Sequence, residues 1–323
     1  GSRTLLTGKQ RDRSILTRVP LRPHMQTTLI DPADLSRLVH LFDILAAVVF
    51  AVSGALVASR KGLDVMGFMW LAVITGVGGG IGTATARLFV SKGWHVGGCD
   101  LSMAVVESLA DAVGRERFTP YVADVRDRAA VARAIDDFTA RCGGKLGAVF
   151  ANAGVLFMAP DDQVTPAQKD LQVDVNVKGV MHTFDAALPH LKRAAPGTHM
   201  IAMASTSAEY GSPHHAIYSA TKFFVRGYTE ALDIEYRPQG INVCGIYVAY
   251  VDTGMVRNAQ WQAASIETMG VKAQPEDVAA MVWKAVHGRR AHWRVGLDAK
   301  LSHYAVRLFG SWVAPIYARM MRI

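Results

Sequence analysis

The chain has 323 residues, of which 50% are hydrophobic and 19% are charged, and its formal net charge is +8. This length suits one large domain or two ordinary ones, and the composition excludes a disordered chain. The three cysteines, Cys99, Cys142 and Cys244, have no paired spacing. This excludes a disulfide scaffold and a zinc ribbon, so we expect no metal and a reducing compartment, the cytoplasm.

Positive charge is concentrated at the two ends of the chain. Residues 1–30 contain six Lys and Arg against one Asp, and residues 289–323 contain seven against one. The body between them, residues 31–288, has 22 basic and 25 acidic side chains. Because a nucleic-acid groove normally crosses the folded body, this distribution argues against nucleic acid and favours contact with a membrane surface or solvated tails.

Four regions follow one another along the chain. Residues 1–35 are basic and aperiodic and are predicted to be a tail, and residues 36–68 are predicted to be an apolar helical segment. Residues 69–300 alternate between short apolar runs and helical periodicity. Residues 301–323 are predicted to form a basic amphipathic helix, which could lie at a lipid interface or pack against a subunit. Its apolar stripe contains Leu301, Tyr304, Leu308, Trp312, Val313, Ile316 and Met320.

The alternating region predicts an α/β fold. Predicted strands lie near 69–75, 95–99, 118–123, 146–151, 199–204 and 241–248. Predicted helices lie near 80–92, 103–114, 127–141, 166–193, 216–237 and 275–287. Short apolar strands that alternate with helices indicate a doubly wound, Rossmann-like parallel sheet in a single domain, here with an extra N-terminal apolar helical segment.

A glycine cluster separates the first predicted strand from the first helix. Residues 75–82 read TGVGGGIG, and glycines allow a backbone to approach a pyrophosphate at a helix N-terminus. Asp100 ends the next strand, where a carboxylate can bind ribose hydroxyls and repel a 2′-phosphate. This pattern predicts NAD rather than NADP, although the glycines could also form a tight turn and Asp100 could cap the following helix. The candidate cofactor-binding residues here are Gly76, Gly78, Gly80, Ile81, Gly82 and Asp100.

A second group of residues suits proton transfer. Tyr218 and Lys222 are four residues apart on a predicted helix and therefore share a face, and Ser205 ends the preceding strand. An ammonium group near a phenol lowers the phenol's pKa and prepares it for acid–base catalysis. Taken alone, a Tyr and a Lys at this spacing are more often an ordinary surface pair.

Together these motifs resemble the short-chain dehydrogenase/reductase family over about residues 70–300. The matching motifs are TGVGGGIG at 75–82, Asp124-Val125, Asn152-Ala153-Gly154, Asn176 within DVNVKG, and Ser205 followed by YSATK at 218–222. The resemblance implies a catalytic tetrad that moves a hydride between nicotinamide and an alcohol or ketone, in an enzyme that forms homodimers or tetramers. The tetrad would be Ser205, Tyr218, Lys222 and Asn176.

The same resemblance implies further roles. Asn176 would hold a relay water, Asp124 would meet the adenine, and Lys222 would bind the nicotinamide ribose. Thr253 would contact the carboxamide, although the Pro-Gly pair that the family usually has before it is replaced by Val248 and Ala249. The cofactor-binding residues implied by the resemblance are Asp124, Val125, Asn152, Ala153, Gly154, Tyr218, Lys222 and Thr253.

The substrate side contains mostly apolar candidates and two histidines. This composition predicts an apolar substrate, although such residues are more often core packing. The candidate lining residues are Leu156, Phe157, Met158, Tyr210, Tyr250, His214 and His215, with residues 255–269 as a lid.

Residues 36–80 separately resemble the first helices of a bacterial membrane-protein family related to trimeric intracellular cation channels. This similarity ends where the dehydrogenase motif begins, so the chain could be a fusion joined near ITGVGGG. The motifs of the alternating region lead us to expect an NAD(H)-dependent oxidoreductase that acts on a secondary alcohol or ketone and forms a homo-oligomer. Its two ends either bury their apolar faces within that oligomer or make peripheral contact with a membrane. The alternatives are a membrane-inserted chain that carries the dehydrogenase fold as an appendage, and a catalytically silent nucleotide-binding module.

Overall fold

The computed structural model describes residues 71–257, residue 266 and residues 270–321. The predicted basic tail and the predicted apolar helical segment lie outside these residues. Between residues 71 and 321, no described helix is both long enough and apolar enough to cross a bilayer.

In the described part of the chain, the strands are β1 (Leu71–Thr75), β2 (His95–Asp100), β3 (Phe118–Val122), β4 (Ala148–Ala151), β5 (Thr198–Met203), β6 (Ile241–Tyr247) and β7 (His292–Arg294). They are all parallel and form one sheet in the order β3-β2-β1-β4-β5-β6-β7. The predicted doubly wound parallel sheet is therefore confirmed. The chain reverses its direction of winding between β1 and β4, and such a switch point opens a crevice at the carboxyl ends of the strands.

Helices follow the strands. They are α1 (Gly80–Ser91), α2 (Met103–Val113), α3 (Arg128–Arg141), α4 (Pro166–Val173), α5 (Gly179–Ala194), α6 (Ala216–Tyr236), α7 (Gly254–Arg257), α8 (Pro275–Ala285), α9 (Gly296–Phe309) and α10 (Ala314–Met321). Several helices begin at a side chain that accepts hydrogen bonds from free backbone N–H groups. Ser102 caps α2, Asp127 caps α3, and Thr165 forms a capping box with Gln168 before α4.

The core has two halves, one on each face of the sheet. In β1, Val73 packs into the half that contains Phe138 and Phe184, whereas the next residue, Ile74, packs into the half that contains Phe89. Successive strand residues point to opposite faces, so a strand covered on both sides must be apolar throughout. This burial explains why the strands appear in the sequence as continuous apolar runs.

Three features differ from the predicted elements. The expected helix over 166–193 is interrupted by a π-helical turn at Asp174–Lys178. The edge strand β7 was not predicted, because it has only three residues. The expected C-terminal helix is two helices separated by a 3₁₀ turn, since Gly310 has a positive φ of 53° that ends α9 and Pro315 suits the first turn of α10.

Candidate active site

A cavity of about 920 Å³ lies at the carboxyl ends of the strands, along the crevice that the topology predicts. Loops that follow β1, β4, β5 and β6 form one wall, which we term the strand-end wall. The helices α9 and α10 and the 3₁₀ turn between them (Gly310–Val313), which we together term the C-terminal helix pair, also contribute lining residues. The predicted site residues that line the cavity are Gly76, Gly78, Gly80, Ile81, Asp100, Asp124, Val125, Asn152, Ala153, Gly154, Ser205, Tyr218, Lys222 and Thr253. Gly82 and Asn176 lie behind this wall.

The glycine loop is folded tightly enough that side chains would collide with the backbone. Gly76 has a φ of +66°, and a Cβ on it would lie 2.7 Å from the Cα of Ala153. A Cβ on Gly82 would lie 2.3 Å from the carbonyl oxygen of Gly76, which also accepts a hydrogen bond from Asn152 Nδ2 at 3.0 Å. Such a loop brings bare backbone and the N-terminus of α1 to the cavity, where an anionic group can bind.

Asp100 lies beside this loop at the end of β2. Its Oδ2 accepts a hydrogen bond from the Gly78 N–H at 2.8 Å, and its Oδ1 accepts one from the Leu101 N–H at 2.8 Å. Ser102, not Asp100, is the N-cap of α2. The interpretation of Asp100 as a helix cap is therefore wrong, and its carboxylate belongs to the cavity wall.

A charged pair lies at the same end of the cavity. Arg126 Nη2 is 2.6 Å from Asp124 Oδ2, and both residues line the cavity. The hydrogen bonds from Arg126 lower the pKa of the Asp124 carboxyl. Arg126 was not among the predicted site residues, although its position two residues after Asp124 is visible in the sequence.

Ser205, Tyr218 and Lys222 come together in the same cavity. Ser205 follows β5 and donates its hydroxyl proton to the carbonyl oxygen of Val248 at 3.4 Å. Lys222 Nζ donates to the carbonyl oxygen of Met203 at 2.7 Å and lies 5.4 Å from the centroid of the Tyr218 ring. The start of α6 thus holds the phenol and the ammonium against the end of β5, and the surface-pair interpretation is wrong.

Burial disfavours the charged forms of the phenol and the amine. It raises the pKa of Tyr218 to about 12, against the opposing effect of a hydrogen bond with Ser205. Burial also lowers the pKa of Lys222 to about 8. The phenol is therefore neutral near pH 7, and the amine loses its proton at a lower pH than an exposed lysine does. A ligand that supplies polar partners can shift either pKa.

Asn176 lies in the π-helical turn and is fully buried. Its Oδ1 accepts a hydrogen bond from the Val155 N–H at 2.8 Å, and its Nδ2 donates to the Val155 carbonyl at 2.9 Å and to Thr221 Oγ1 at 3.2 Å. The Asn176 side chain thus joins the loop after β4 to α6. Its predicted role in holding a relay water stays a prediction.

The substrate side differs from the prediction in part. Leu156, Tyr250 and His215 line the cavity, and so do Met255 and Val256 at the start of the predicted lid. The rest of that segment largely lies outside the described residues.

The remaining substrate-side candidates do not line the cavity. Met158 is buried in a small apolar cluster with Val256 and Ile266. Phe157, Tyr210 and His214 are likewise absent from the cavity wall that the structure describes.

The C-terminal helix pair supplies lining residues that are only partly evident from the sequence. Leu301, Val313 and Ile316 of the predicted stripe line the cavity. Tyr304, Leu308 and Trp312 of the same stripe do not line it. Of the three lining residues only Val313 is buried, whereas Leu301 and Ile316 are exposed like Tyr304, Leu308 and Trp312. The break at Gly310 changes which residues share a face, so a single helical wheel does not describe this segment.

A buried carboxylate joins the C-terminal helix pair to the rest of the site. Glu209 follows Ser205 by four residues, and its carboxylate is 2.6 Å from Arg226 on α6, 2.8 Å from Arg294 on β7 and 3.0 Å from His303 on α9. Burial raises the pKa of Glu209, but hydrogen bonds from His303 and Arg294 outweigh it and lower that pKa overall. Sequence reasoning missed this cluster, because its members are up to 94 residues apart.

The described part of the chain contains no group of His, Cys, Asp and Glu side chains suited to a metal ion. Cys99 is buried beside Asp100, and burial raises its pKa to about 12. It is therefore an unreactive packing residue, as its position in an apolar strand predicts.

Comparisons with known proteins agree with this geometry. The short chain dehydrogenase family model matches residues 71–264. The Oxidoreductase UcpA of Escherichia coli (strain K12) is 34% identical over 221 residues, which cover 68% of this chain and 81% of that protein.

Solved structures are similar as well. A 3-ketoacyl-(acyl-carrier-protein) reductase from Brucella melitensis, complexed with NADH, has a TM-score of 0.63 and 29% identity over 70% of this chain and 96% of its own. An NADPH-bound short chain oxidoreductase from Pseudomonas aeruginosa PAO1 has a TM-score of 0.63 over 71% of this chain and 96% of its own. At 24% identity the latter supports the fold alone.

A glycine transporter family model matches residues 40–82, where the sequence resembles a small membrane-protein family. The two family models share residues 71–82, and the structure forms β1 and the start of α1 from them. In this shared segment the glycine cluster therefore has the conformation of a nucleotide-binding loop between a strand and a helix. The chain is a member of the short-chain dehydrogenase/reductase family and an oxidoreductase.

Proposed function

We propose that this protein is an NAD(H)-dependent dehydrogenase that interconverts a secondary alcohol and a ketone of largely apolar character. The observation that carries the proposal is the placement of Ser205, Tyr218 and Lys222 in one cavity with the glycine loop. The apolar character of the substrate rests on the lining of the cavity, which includes Leu156, Met255 and side chains of the C-terminal helix pair.

The residues around the glycine loop fit a dinucleotide. At Gly76 and Gly82 the loop has no space for a Cβ, and it presents the N-terminus of α1, which suits a pyrophosphate. The Asp100 carboxylate can accept hydrogen bonds from ribose hydroxyls and repels a 2′-phosphate, so we propose NAD rather than NADP. Arg126 is the nearby cation that could favour a phosphate, but Asp124 already binds it. When bound, the nicotinamide supplies the site that accepts or donates the hydride.

The side chains of this protein would then handle the proton. Ser205 holds the oxygen of the substrate through its hydroxyl, and Tyr218 gives a proton to that oxygen in ketone reduction or removes it in alcohol oxidation. Lys222, as an ammonium, stabilises the phenolate form of Tyr218 and offsets the effect of burial on its pKa. Asn176 fixes the loop after β4 against α6 and so helps to position Tyr218 and Lys222, which α6 carries.

The decisive test is turnover with matched substrates and cofactors. The purified protein is mixed with a panel of ketones and NADH or NADPH, and the loss of absorbance of the reduced nicotinamide is followed. We expect consumption of NADH that depends on the ketone, with a much lower rate for NADPH. Equal use of the two cofactors would contradict the role of Asp100, and NADH binding without turnover of any carbonyl would favour the catalytically silent module.

We further propose that the outer surface of the C-terminal helix pair contacts an anionic membrane. Leu308 is 75% exposed and Trp312 is 84% exposed, and Lys300, Arg307 and Arg319 lie on the same two helices, whose only acidic residue is Asp298. A second copy of this surface would bring like charges together, whereas anionic lipid complements them and adds apolar burial. Together with the free thiols in the described residues, this predicts a cytoplasmic enzyme with peripheral membrane contact.

Sedimentation with vesicles tests this surface. We expect the full chain to bind phosphatidylglycerol-containing vesicles at low salt and to dissociate at high salt, and the Leu308→Ser/Trp312→Ser variant to bind much more weakly. Binding to neutral vesicles that salt does not affect would contradict the role of charge. A change of oligomeric state in the variant, with no vesicle binding by the wild type, would identify the surface as a subunit interface.

We propose that copies of this chain associate through a surface other than the C-terminal helix pair. Phe223 and Ile234 are exposed apolar residues on α6. Exposed side chains of this size often mark a protein interface, and we propose a homodimer or tetramer formed through this helix. Light scattering should report an oligomer for the wild type and a smaller species for Ile234→Glu, and a monomeric wild type would contradict the proposal.

A further inference from the structure

His215 is a buried side chain in the cavity wall that the proposed mechanism does not use. It is 3% exposed, precedes Tyr218 by three residues and is the N-cap residue of α6. Its ring centroid is 6.5 Å from that of Tyr218 and 6.4 Å from that of Tyr250. The imidazole therefore belongs to the substrate side of the cavity, next to the proposed acid–base residue.

The hydrogen bonding of His215 determines its tautomer. Nδ1 lies 2.9 Å from the carbonyl oxygen of Pro213, and a carbonyl can only accept, so Nδ1 carries the proton. Burial lowers the pKa of His215, which keeps the ring neutral near pH 7. The other nitrogen, Nε2, then presents a lone pair and can only accept a hydrogen bond.

Among the residues that the structure describes, Nε2 of His215 has no hydrogen-bond partner. A buried polar atom in a native protein nearly always has one. Because the ring forms part of the cavity wall, the missing donor can come from a molecule bound in the cavity. A ketone oxygen cannot serve, since it is itself an acceptor, whereas a hydroxyl group can.

We propose that Nε2 of His215 accepts a hydrogen bond from a second hydroxyl group of the substrate, which makes hydroxy ketones and the corresponding diols the preferred substrate class. This inference rests on the proposed function, because it assumes that the reacting carbonyl binds at Ser205 and Tyr218. The apolar lining contacts the carbon chain between and beyond the two oxygens. A site with a buried polar group discriminates strongly against an analogue that leaves the group unpaired.

Pairs of ketones that differ by one hydroxyl group test this inference. The value of kcat/KM with NADH is measured for 2-butanone, 3-hydroxy-2-butanone and 4-hydroxy-2-butanone, so that the spacing of the two oxygens also varies. For the wild type we expect at least one hydroxy ketone to exceed 2-butanone by roughly tenfold or more. In His215→Phe this preference should fall to about one, because the ring remains but the acceptor is lost. Wild-type kcat/KM values equal for all three ketones would overturn the inference.

Two further variants separate the acceptor from the packing of the ring. His215→Gln places an amide oxygen near the position of Nε2 and should restore part of the preference, which a purely structural role would not predict. His287→Phe is a matched control, because its Nδ1 also lies 2.7 Å from a backbone carbonyl, that of Trp283, but on the exposed surface. It should keep the wild-type preference.

The outcomes distinguish this inference from the proposed function. If the wild type reduces simple ketones and hydroxy ketones equally well, or if His215→Phe keeps the full preference, the inference fails and the dehydrogenase activity stands. If the wild type binds NADH but reduces no carbonyl of any kind, the proposed function fails and the inference fails with it. Thermal unfolding of each variant shows whether a lost preference reflects a lost fold.

Discussion

The two sides of the cavity are built in different ways. On the strand-end wall, local spacing determines the positions of the site residues: Tyr218 and Lys222 share a face of α6, and the glycine loop turns directly from β1 into α1. The C-terminal helix pair follows the edge strand β7, but its link to the Ser205 loop joins residues that are far apart in the chain. It is joined to the site through Glu209, whose partners Arg294 and His303 are 85 and 94 residues away in the chain.

This difference implies a division of roles. The strand-end wall consists of loops that leave the buried sheet directly, so it suits groups that must be held accurately for proton transfer. The C-terminal helix pair is held by the Glu209 cluster and by the buried Ala299 and Val313, and it has an exposed apolar outer surface. It therefore suits substrate selection and contact with other surfaces.

The largest expected effect concerns the strand-end wall. Tyr218→Phe removes only the transferable proton, so we expect kcat to fall by roughly 10²- to 10⁴-fold, the usual contribution of general acid–base catalysis. The affinity for NADH, measured by fluorescence titration, should remain close to that of the wild type. Tyr228→Phe is the control. Tyr228 lies on the same helix as Tyr218, but its ring stacks on those of Phe184 and Phe224 and does not line the cavity. More than about a tenth of wild-type activity in Tyr218→Phe would contradict the assignment.

The next effect concerns the attachment of the C-terminal helix pair. Glu209→Gln removes the buried negative charge that Arg226 and Arg294 share. Arg226 keeps its pair with Glu230, whereas Arg294 loses its carboxylate partner, and breaking a buried ion pair from one side typically costs about 3–5 kcal/mol. We expect a lower free energy of unfolding in urea, together with faster proteolysis within α9.

A matched control exists at the surface of the molecule. Glu107→Gln removes an acidic partner of Arg115, but both side chains of that pair are exposed to solvent. Because water screens such a pair, stability should stay near that of the wild type. Equal stability losses in Glu107→Gln and Glu209→Gln would show that the buried cluster has no special role.

The sequence predicts the strand-end wall better than the C-terminal helix pair for a physical reason. Glycine spacing, the Tyr218–Lys222 interval and apolar runs are local signals that reflect local geometry. The π-helical turn around Asn176, the three-residue strand β7 and the Glu209 cluster depend on tertiary contacts between distant segments. His215 was visible as a candidate, but its tautomer follows only from the position of the Pro213 carbonyl.

Cofactor choice should depend on the carboxylate of Asp100. In Asp100→Ser, a 2′-phosphate no longer meets a like charge, so the ratio of kcat/KM for NADPH to that for NADH should rise by roughly tenfold or more. Asp111→Ser provides a comparison, because that exposed carboxylate on α2 pairs with Arg115 on the surface and does not line the cavity. A ratio that is equal in both variants would exclude Asp100 as the determinant.

The smallest expected effect is a pH dependence of cofactor affinity. Without a ligand, burial lowers the pKa of Lys222 from 10.5 to about 8, so the ammonium loses its proton as the pH rises through 8. If ribose hydroxyls accept hydrogen bonds from the ammonium, cofactor binding raises this pKa, and the complex retains a proton that the free protein has lost. The affinity for NADH must then fall as the pH rises, by about tenfold between pH 7 and pH 9.

Fluorescence titrations at constant ionic strength measure this change. Lys222→Met should bind NADH more weakly and with no such pH dependence, because the titrating group is absent. ADP, which lacks the nicotinamide ribose, should bind the wild type equally well at pH 7 and pH 9. An NADH affinity that is constant or rises between these pH values would mean that Lys222 does not bind the ribose. The strand-end wall would then hold the cofactor through the glycine loop and Asp100 without help from the catalytic lysine.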